Sequence, residues 1–244
     1  MAAVDSSVNP AFAHYCQTIF ELDEDDIDVI QARIAERLGV SRPAVSEMIR
    51  RLELEGLVTT TAGRITLTGK GAALAAQVVR RHRLAERFLT DVLHISWAEA
   101  HTEAELWSGV ISDRVEDALV EFLGEPTTCP HGNPIPGTAY SSAGLQALTS
   151  VPVGEQFTVS RIPEELEFTP GLLDFLERSR VIPGSAGTVV AASPDGTMTV
   201  QIEGTTVGLG TFASERILVI ASRPAPAPAP APARTRRARK SVSA

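Results

Sequence analysis

Two histidines and a glutamate have the residue types and spacing of metal ligands. His82 and Glu86 are four positions apart, so on an α-helix both side chains lie on one face and can reach one cation. His101 stands at the start of the next helical pattern. Two imidazoles and a carboxylate suit a divalent first-row metal without choosing among Fe²⁺, Mn²⁺, Co²⁺, Ni²⁺ and Zn²⁺. Because such residues are also common as solvated surface groups, the pattern alone leaves both interpretations open.

A second pattern is that of a helix-turn-helix followed by a β-hairpin wing. Apolar residues at helical spacing predict helices over 11–22 and 27–38, and Gly39 suits a left-handed helix end. The next helix has Ser41 as a predicted N-cap and Pro43 in its first turn. β-branched residues at 57–61 and 64–68, around Ala62-Gly63, predict the hairpin.

This arrangement predicts which residues would contact DNA. The second helix of a helix-turn-helix enters the major groove, and its first half meets base edges; here those residues are Ser41, Arg42, Pro43, Ala44, Ser46 and Glu47. Phosphate contacts are predicted for Arg50, Arg51 and Arg64, with Arg33 as a further DNA-binding candidate. Residues 31–70 contain seven basic and four acidic residues, although the whole chain has a net charge of −8. A basic region in an acidic protein indicates where a nucleic acid binds.

The remaining elements must position these two sets of residues. Helical patterns over 69–93 and 98–123 have wide apolar faces, which predicts packing against each other or against a second subunit. Residues 127–137 are rich in Pro and Gly and predict a loop. A small β-barrel with a helix near 169–178 is predicted from short strand patterns at 156–161, 188–192, 198–202, 205–208 and 216–220.

Composition excludes several classes of protein. The chain has 244 residues, and no apolar run approaches the ~18 residues of a membrane span. The N-terminus has no pattern typical of a signal peptide, so we expect a cytoplasmic location. With only two cysteines, Cys16 and Cys129, a disulfide scaffold is not expected, and Cys16 is predicted to be a core residue. Residues 223–234 form a Pro-Ala spacer before a basic tail.

The sequence resembles the diphtheria toxin repressor and iron-dependent regulator family of metal-activated transcription repressors. The resemblance covers roughly residues 11–220, and its most specific stretches are VIQARIAERLGVSRPAVSEMIRRLELEGLV (29–58), RRHRLAERFLTDVL (80–93) and CPHGNPIPG (129–137). It implies a mainly α chain with small β elements. The implied domains are an N-terminal winged helix-turn-helix (1–74), a helical metal-binding and dimerisation domain (75–148) and a C-terminal SH3-like β-barrel (149–222), before the linker and tail (223–244).

The resemblance also implies two metal sites. The ancillary site of the family corresponds here to His82, Glu86, His101, Glu164 and Glu167, and Glu167 stands where iron-dependent members often carry Gln. The primary site of the family uses a Met and a Cys-x-x-Glu-His motif. Here the matching positions are His14, Glu105 and Ser108-Gly109, so only His14 and Glu105 could bind and the primary site looks degenerate. Cys129 and His131 lie in a loop that the family shares outside its metal sites, which predicts a structural role.

The implied function is a dimeric, divalent-metal-dependent repressor of iron or manganese homeostasis genes. Its cofactor would be Fe²⁺ or Mn²⁺, with Zn²⁺, Co²⁺ or Ni²⁺ as surrogates. Its partners would be a pseudo-palindromic double-stranded DNA operator, bound by one or two homodimers, and no membrane. Three alternatives remain: a relative that binds DNA with little metal dependence, a metallohydrolase, and a scaffold that binds partners through the barrel and tail. No nucleophile or phosphate-binding motif accompanies the ligands, so we expect no enzymatic activity.

Overall fold

The computed structural model describes residues 9–222, so the predicted linker and basic tail at 223–244 lie outside the described residues. The N-terminal unit consists of helices α1 (Pro10–Glu24), α2 (Gln31–Leu38) and α3 (Arg42–Leu54), followed by strands β1 (Val58–Thr61) and β2 (Arg64–Leu67). The two strands form an antiparallel hairpin. Buried apolar side chains of all five elements form one hydrophobic cluster, so the hairpin is a wing fixed to a three-helix core.

Local sequence explains how the helix-turn-helix forms. Gly39 ends α2 in the left-handed conformation, with φ 63°, and the Ser41 side chain accepts a hydrogen bond from the Ala44 N–H at the start of α3. The prediction that α2 begins at residue 27 is wrong. Asp26 has a left-handed φ of 55°, and the Val29 carbonyl accepts the Ile65 N–H at 2.8 Å. Residues 27–30 are therefore a link to the wing.

The middle unit consists of helices α4 (Gly69–Asp91), α5 (Trp97–Ser108) and α6 (Asp113–Phe122). The prediction of one helix over 98–123 is wrong, because one helix ends at Ser108 and the next begins at Asp113. The Ser112 side chain accepts the Val115 N–H and caps α6, while Ile111 in the break is buried. Buried apolar residues of α4, α5 and α6 form a second hydrophobic cluster.

The C-terminal unit is built on six antiparallel strands in the order β3-β8-β4-β5-β6-β7. Their bounds are β3 Leu145–Ala147, β4 Gln156–Arg161, β5 Ala186–Ala192, β6 Met198–Ile202, β7 Thr205–Leu209 and β8 Leu218–Ser222. Three short helices follow or interrupt the strands, α7 (Glu164–Glu167), α8 (Leu172–Arg178) and α9 (Thr211–Ser214). The predictions missed β3, α7 and α9, and α8 begins three residues later than predicted, after the left-handed Gly171 with φ 74°.

The units of the chain pack against one another. Trp97 at the start of α5 belongs to the hydrophobic cluster of the C-terminal unit. The loop at 129–137 passes between the helices and the strands, where the Ile162 N–H donates to the His131 carbonyl at 2.8 Å. No helix within residues 9–222 combines the length and the apolar character needed to cross a membrane.

Candidate metal centre and DNA-binding surface

The long helix α4 brings His82 and Glu86 into the interior on one face. Both side chains are 1% exposed, and the His82 Nε2 lies 3.2 Å from the Glu86 Oε1. This places the two residues one helical turn apart with their polar atoms together, as their spacing predicts. His101, near the start of α5, contributes its Nδ1 at 3.0 Å from the same Glu86 oxygen. One carboxylate oxygen therefore lies between two imidazoles.

The short helix α7 brings two further carboxylates to this cluster from the C-terminal unit. The Glu167 Oε2 lies 3.0 Å from the His101 Nδ1, and Glu164 forms a potential ligand group with His82 and His101. Because Glu164 and Glu167 are three positions apart on one turn, both side chains point to the same side. All five residues of the predicted ancillary site are thus brought together.

The structure also places His131 in this cluster, which sequence reasoning missed. Its Nδ1 lies 3.0 Å from the Glu167 Oε2 and 3.6 Å from the Glu86 Oε1. Glu86, Cys129 and His131 form another potential ligand group, so both loop residues that were assigned only a structural role stand beside the predicted ligands. The spacing of Cys129 and His131 was a signal, but their loop is distant in sequence from the other residues.

A glycine allows the loop to approach the C-terminal unit. Gly132 has φ 87°, and a Cβ atom at this position would lie 2.1 Å from the Ser160 carbonyl oxygen. The next residue, Asn133, donates from its side chain to the Glu167 Oε1 at 2.6 Å and to the Ile162 carbonyl at 3.0 Å. The loop therefore holds His131 and orients Glu167 at once.

Several polar atoms of the cluster are buried without a hydrogen-bond partner among the described residues. They are both ring nitrogens of His82 and of His131, the Glu164 Oε1 and the Glu167 Oε2. Buried polar groups without partners are rare in folded proteins and indicate an ion, a water or a functional role. Imidazole nitrogens and carboxylate oxygens are ligands for divalent first-row metals, so these residues fit such a cation.

The pKa values show that the buried histidines and carboxylates of the cluster affect one another's charge. Burial by itself lowers the pKa of His82, but the Glu86 carboxylate outweighs it and the pKa is raised. For His101, burial is again outweighed, here by the neighbouring Glu167 and Glu86 carboxylates, and its pKa rises to about 12. Burial raises the pKa of Glu164 well above its usual value, and the Glu167 charge adds to this shift. A divalent cation bound by these groups would compete with protons for the same nitrogen and oxygen atoms.

The two residues of the predicted degenerate primary site do not meet in a ligand group. His14 is exposed on α1, and neither His14 nor Glu105 belongs to any cluster of three potential ligands within residues 9–222. Glu105 instead lies with its Oε1 3.6 Å from the His82 Nδ1 and accepts a hydrogen bond from the Gln17 side chain at 3.1 Å. Glu105 therefore faces the nitrogen of His82 that points away from Glu86.

Side chains of the cluster and its neighbours also contact the N-terminal unit. The buried Arg83 bonds to Glu24 of α1 through its Nη2 at 2.6 Å and to Glu164 at 3.3 Å. The Phe168 ring, directly after Glu167, packs edge-on against the His101 ring at 5.4 Å. On its other side the Arg37 guanidinium of α2 lies 4.3 Å from the Phe168 ring centroid. Helices of the helix-turn-helix thus touch residues adjacent to the cluster.

The predicted DNA-binding residues lie on the surface of the N-terminal unit. Nine of them are exposed and Ser46 is half-buried. Arg33 pairs with Glu36 at 2.9 Å, Arg50 pairs with Glu47, and Arg64 on the wing lies 3.4 Å from Asp23 and from Asp28. These ion pairs are exposed and contribute little to stability. The arginines could therefore leave the carboxylates and bind DNA phosphates at a small cost in free energy.

Comparisons with known proteins agree with this architecture. Residues 10–64 match the family described as iron dependent repressor, N-terminal DNA binding domain. Residues 68–137 match iron dependent repressor, metal binding and dimerisation domain, and residues 146–221 match the FeoA domain. Over 202 residues the chain is 40% identical to the iron-dependent repressor IdeR of Mycobacterium tuberculosis, covering 78% of this chain and 87% of that protein.

Other relatives extend the comparison. The diphtheria toxin repressor of Corynebacterium jeikeium is 49% identical over 124 residues, which is 50% of this chain and 52% of that protein. A solved structure of a manganese-dependent transcriptional repressor in complex with manganese has a TM-score of 0.77 at 34% identity, covering 86% of this chain and all of that one. A crystal structure of IdeR from T. acidophilum has a TM-score of 0.70 at 25% identity, covering 91% of this chain.

A winged helix-turn-helix, a helical unit with a buried ligand cluster and a C-terminal β unit define the class of metal-dependent DNA-binding transcriptional repressors. The chain belongs to the iron-dependent repressor family. The fold class and the family predicted from the sequence are confirmed, with the FeoA match corresponding to the SH3-like barrel.

Proposed function

We propose that this chain represses iron or manganese homeostasis genes by binding a pseudo-palindromic operator as a homodimer when Fe²⁺ or Mn²⁺ is held in the buried cluster. The single observation that carries the proposal is the meeting of His82, Glu86 and His101 with Glu164 and Glu167 of the C-terminal unit. These residues come from two units, so a cation bound by all of them joins the units. Zn²⁺, Co²⁺ and Ni²⁺ would be surrogates.

We assign Glu105 a positioning role. The His82 ring faces Glu86 through Nε2 and Glu105 through Nδ1. A carboxylate on the far nitrogen fixes the tautomer and the orientation of a metal-binding imidazole. Gln17 holds Glu105 in turn. This role differs from the one in the degenerate primary site that the resemblance implied for His14 and Glu105, and neither residue belongs to a group of three potential ligands among the described residues.

Coupling of the cluster to DNA binding would pass through the contacts to α1 and α2. Arg83 ties Glu24 to Glu164, and Phe168 lies between His101 and Arg37. Ordering α7 and α5 around one cation therefore favours one placement of the helix-turn-helix. By linkage, a ligand that binds the DNA-competent arrangement better shifts the population toward it.

A homodimer would present two recognition helices to two half-sites. Exposed apolar side chains on α5, on α6 and between them fit a second copy of the chain; they are Leu106, Val110, Val115 and Phe122. Their position in the region that matches the metal binding and dimerisation domain supports this surface as the dimer interface. On each half-site, α3 would place Arg42 and its neighbours at base edges, with Arg50, Arg51 and Arg64 at phosphates. One or two dimers would occupy an operator.

We also propose that the protein is not an enzyme. Each of the five predicted ligand residues is at most 9% exposed, whereas a catalytic metal site keeps a position open for substrate or water. A metal-loaded protein that hydrolyses no ester or phosphoester substrate would agree with this proposal.

The experiment that tests the proposal is fluorescence anisotropy on a palindromic metal-regulon operator. Protein would be titrated with Mn²⁺, anaerobic Fe²⁺ or Zn²⁺ and then with chelator, for the wild type and for His82→Ala. We expect binding that requires metal, is reversed by chelator and is lost in His82→Ala. Operator binding that persists in chelator, with the same affinity for the wild type and His82→Ala, would instead indicate the alternative, a DNA-binding protein with little metal dependence.

A further inference from the structure

A groove lies between helix α2 of the N-terminal unit and the short helices α7 and α9 of the C-terminal unit. Its volume is about 390 Å³, which is in the range of small-molecule sites. Two arginines, two phenylalanines and two aliphatic residues are among those that line it: Arg37, Arg216, Phe168, Phe212, Leu22 and Ile27. We infer that this groove, here called the α2 groove, binds a small organic monocarboxylate. Its carboxylate bonds to the Arg37 guanidinium, and its apolar part lies beside the phenylalanine rings.

Arg37 is a buried charged residue without a hydrogen-bond acceptor. Its side chain is 6% exposed, and both Nη atoms are buried with no hydrogen-bond partner among residues 9–222. The nearest carboxylate oxygen in this part of the chain, the Glu21 Oε2, lies 3.9 Å from the Arg37 Nη1, which is too far for a hydrogen bond. A buried charged donor without an acceptor destabilises a protein. The Arg37 guanidinium therefore calls for an acceptor such as an anion.

The other arginines of the α2 groove already have carboxylate partners. Arg33, which also lines the groove, pairs with Glu36 at 2.9 Å, and Arg216 pairs with Glu165. Arg37 is the guanidinium of the groove that lacks a hydrogen-bonded carboxylate, so a single further negative charge balances it. A dianion such as phosphate would bring its second charge close to Glu36 and Glu165, which repel it. The charges therefore favour a monoanion.

The two phenylalanines orient the guanidinium groups and offer apolar surface. The Arg37 guanidinium lies 4.3 Å from the Phe168 ring centroid, and that of Arg216 lies 4.1 Å from the Phe212 centroid. Because the ring contact uses the face of a guanidinium, the N–H donors in its plane stay available, and a planar carboxylate matches their fork. Phe168 and Phe212 are 43% and 42% exposed, so an apolar group can cover them. These features together favour a carboxylate with an apolar body.

The α2 groove is separate from the proposed metal centre but adjacent to it. None of the five proposed metal ligands lines the groove. Phe168 nevertheless follows Glu167 directly in the chain, and Arg37 is on the helix that precedes the recognition helix. A ligand in contact with Phe168 and Arg37 holds α2 against the C-terminal unit. Its binding requires neither metal nor DNA.

The test is a titration of the metal-free, full-length protein with para-fluorobenzoate, followed by fluorine NMR in a buffer without carboxylate or phosphate. The matched probe is para-fluorobenzamide, a neutral molecule of similar shape. The proteins are the wild type, Arg37→Met and the control Arg178→Met, which removes an exposed arginine of α8 outside the groove.

We expect the wild type and Arg178→Met to bind para-fluorobenzoate with equal affinity. Arg37→Met should bind it at least about tenfold more weakly, because the buried partner of the carboxylate is lost. The wild type should bind para-fluorobenzamide at least about tenfold more weakly than para-fluorobenzoate, because the neutral probe has no charge to pair with Arg37. This comparison of two probes on the wild type does not depend on the folding of any variant.

Several outcomes would overturn the inference. They are no binding of para-fluorobenzoate to the wild type, equal binding of both probes, and equal affinity of the wild type and Arg37→Met for para-fluorobenzoate. Inorganic phosphate that displaces the probe at a lower concentration than unlabelled benzoate does would assign the groove to a phosphate ligand instead. These titrations use neither metal nor operator, so their failure leaves the proposed repressor function standing, and failure of the operator assay leaves the carboxylate site standing.

Discussion

At the scale of single residues, the proposed role of Glu105 is to orient His82 without binding the cation. Its carboxylate lies 3.6 Å from the His82 Nδ1, so its removal frees the orientation of that ring. We predict that Glu105→Ala weakens Mn²⁺ binding by about 10- to 100-fold, the usual cost of losing such a partner. The measurement is competition with a metal-binding dye. Glu103→Ala, an exposed position on the same helix, is the control, and equal affinities for both variants would contradict the role of Glu105.

Gly132 determines whether the loop at 129–137 can close on β4. A Cβ atom there would lie 2.1 Å from the Ser160 carbonyl oxygen, and the residue has φ 87°. We predict that Gly132→Ala lowers the free energy of unfolding by more than about 2 kcal/mol, as backbone strain and a steric clash add. Gly144→Ala is the matched control, because its φ is 82° and nothing lies within 4 Å of its Cβ position. Denaturant unfolding that gives the same loss for both would show that the close approach is unimportant.

Some of the site follows from local sequence and some does not. His82 and Glu86 are on one helical turn, so their meeting depends only on helix geometry. The contacts of His131 and Glu105 depend on how distant segments pack, and no spacing in the sequence encodes them. The resemblance to the family predicted Glu164 and Glu167 beside the helical residues. Only the structure shows that Glu105 lies near His82 and that His131 lies near Glu86 and Glu167.

At the scale of elements, α7 joins the centre to the helix-turn-helix. Phe168, which follows this helix, lies between His101 and the Arg37 guanidinium of α2. We predict that Phe168→Ala keeps the metal stoichiometry but reduces the metal-induced gain in operator affinity at least about fivefold, the lower end of typical couplings. Anisotropy with and without Mn²⁺ measures this gain.

Phe175→Ala provides the control for this prediction. Phe175 on α8 is 41% exposed and Phe168 is 43% exposed, so the two truncations remove similar surface. An equal effect of both variants on the metal-induced gain would contradict a specific role of the Phe168 contact.

The bounds of several helices and strands differ from the sequence predictions because tertiary contacts and helix caps determine where these elements begin and end. Residues 27–30 have helical apolar spacing, yet the Val29 carbonyl bonds to the Ile65 N–H of the wing. The pattern over 98–123 continues through Gly109 and Ser112, but the Ser112 cap starts a new helix. Strand β3 has three residues and pairs only with β8, so it is too short for its alternation to be recognised.

At the scale of the whole molecule, three hydrophobic clusters correspond to the winged helix, the helical unit and the C-terminal β unit. The predicted domains 1–74, 75–148 and 149–222 follow this division in outline. The boundary after residue 148 comes too late, because β3 pairs with β8 and Leu148 lies in the C-terminal cluster, where Trp97 of α5 also packs. The centre lies where the helical and C-terminal units meet, and ion pairs connect it to α1. Arg161 on β4 binds Glu24 at 3.1 Å and Asp25 at 2.6 Å.

The central claim is that holding a cation in the cluster and binding DNA stabilise the same arrangement of the three units. The most direct measurement is a calorimetric titration of Mn²⁺ into the free protein and into its complex with operator DNA. By linkage, the operator must raise the affinity for Mn²⁺ by the same factor by which Mn²⁺ raises the affinity for the operator. We predict at least a roughly fivefold tighter Mn²⁺ site in the complex. Equal Mn²⁺ affinity with and without operator would contradict the account.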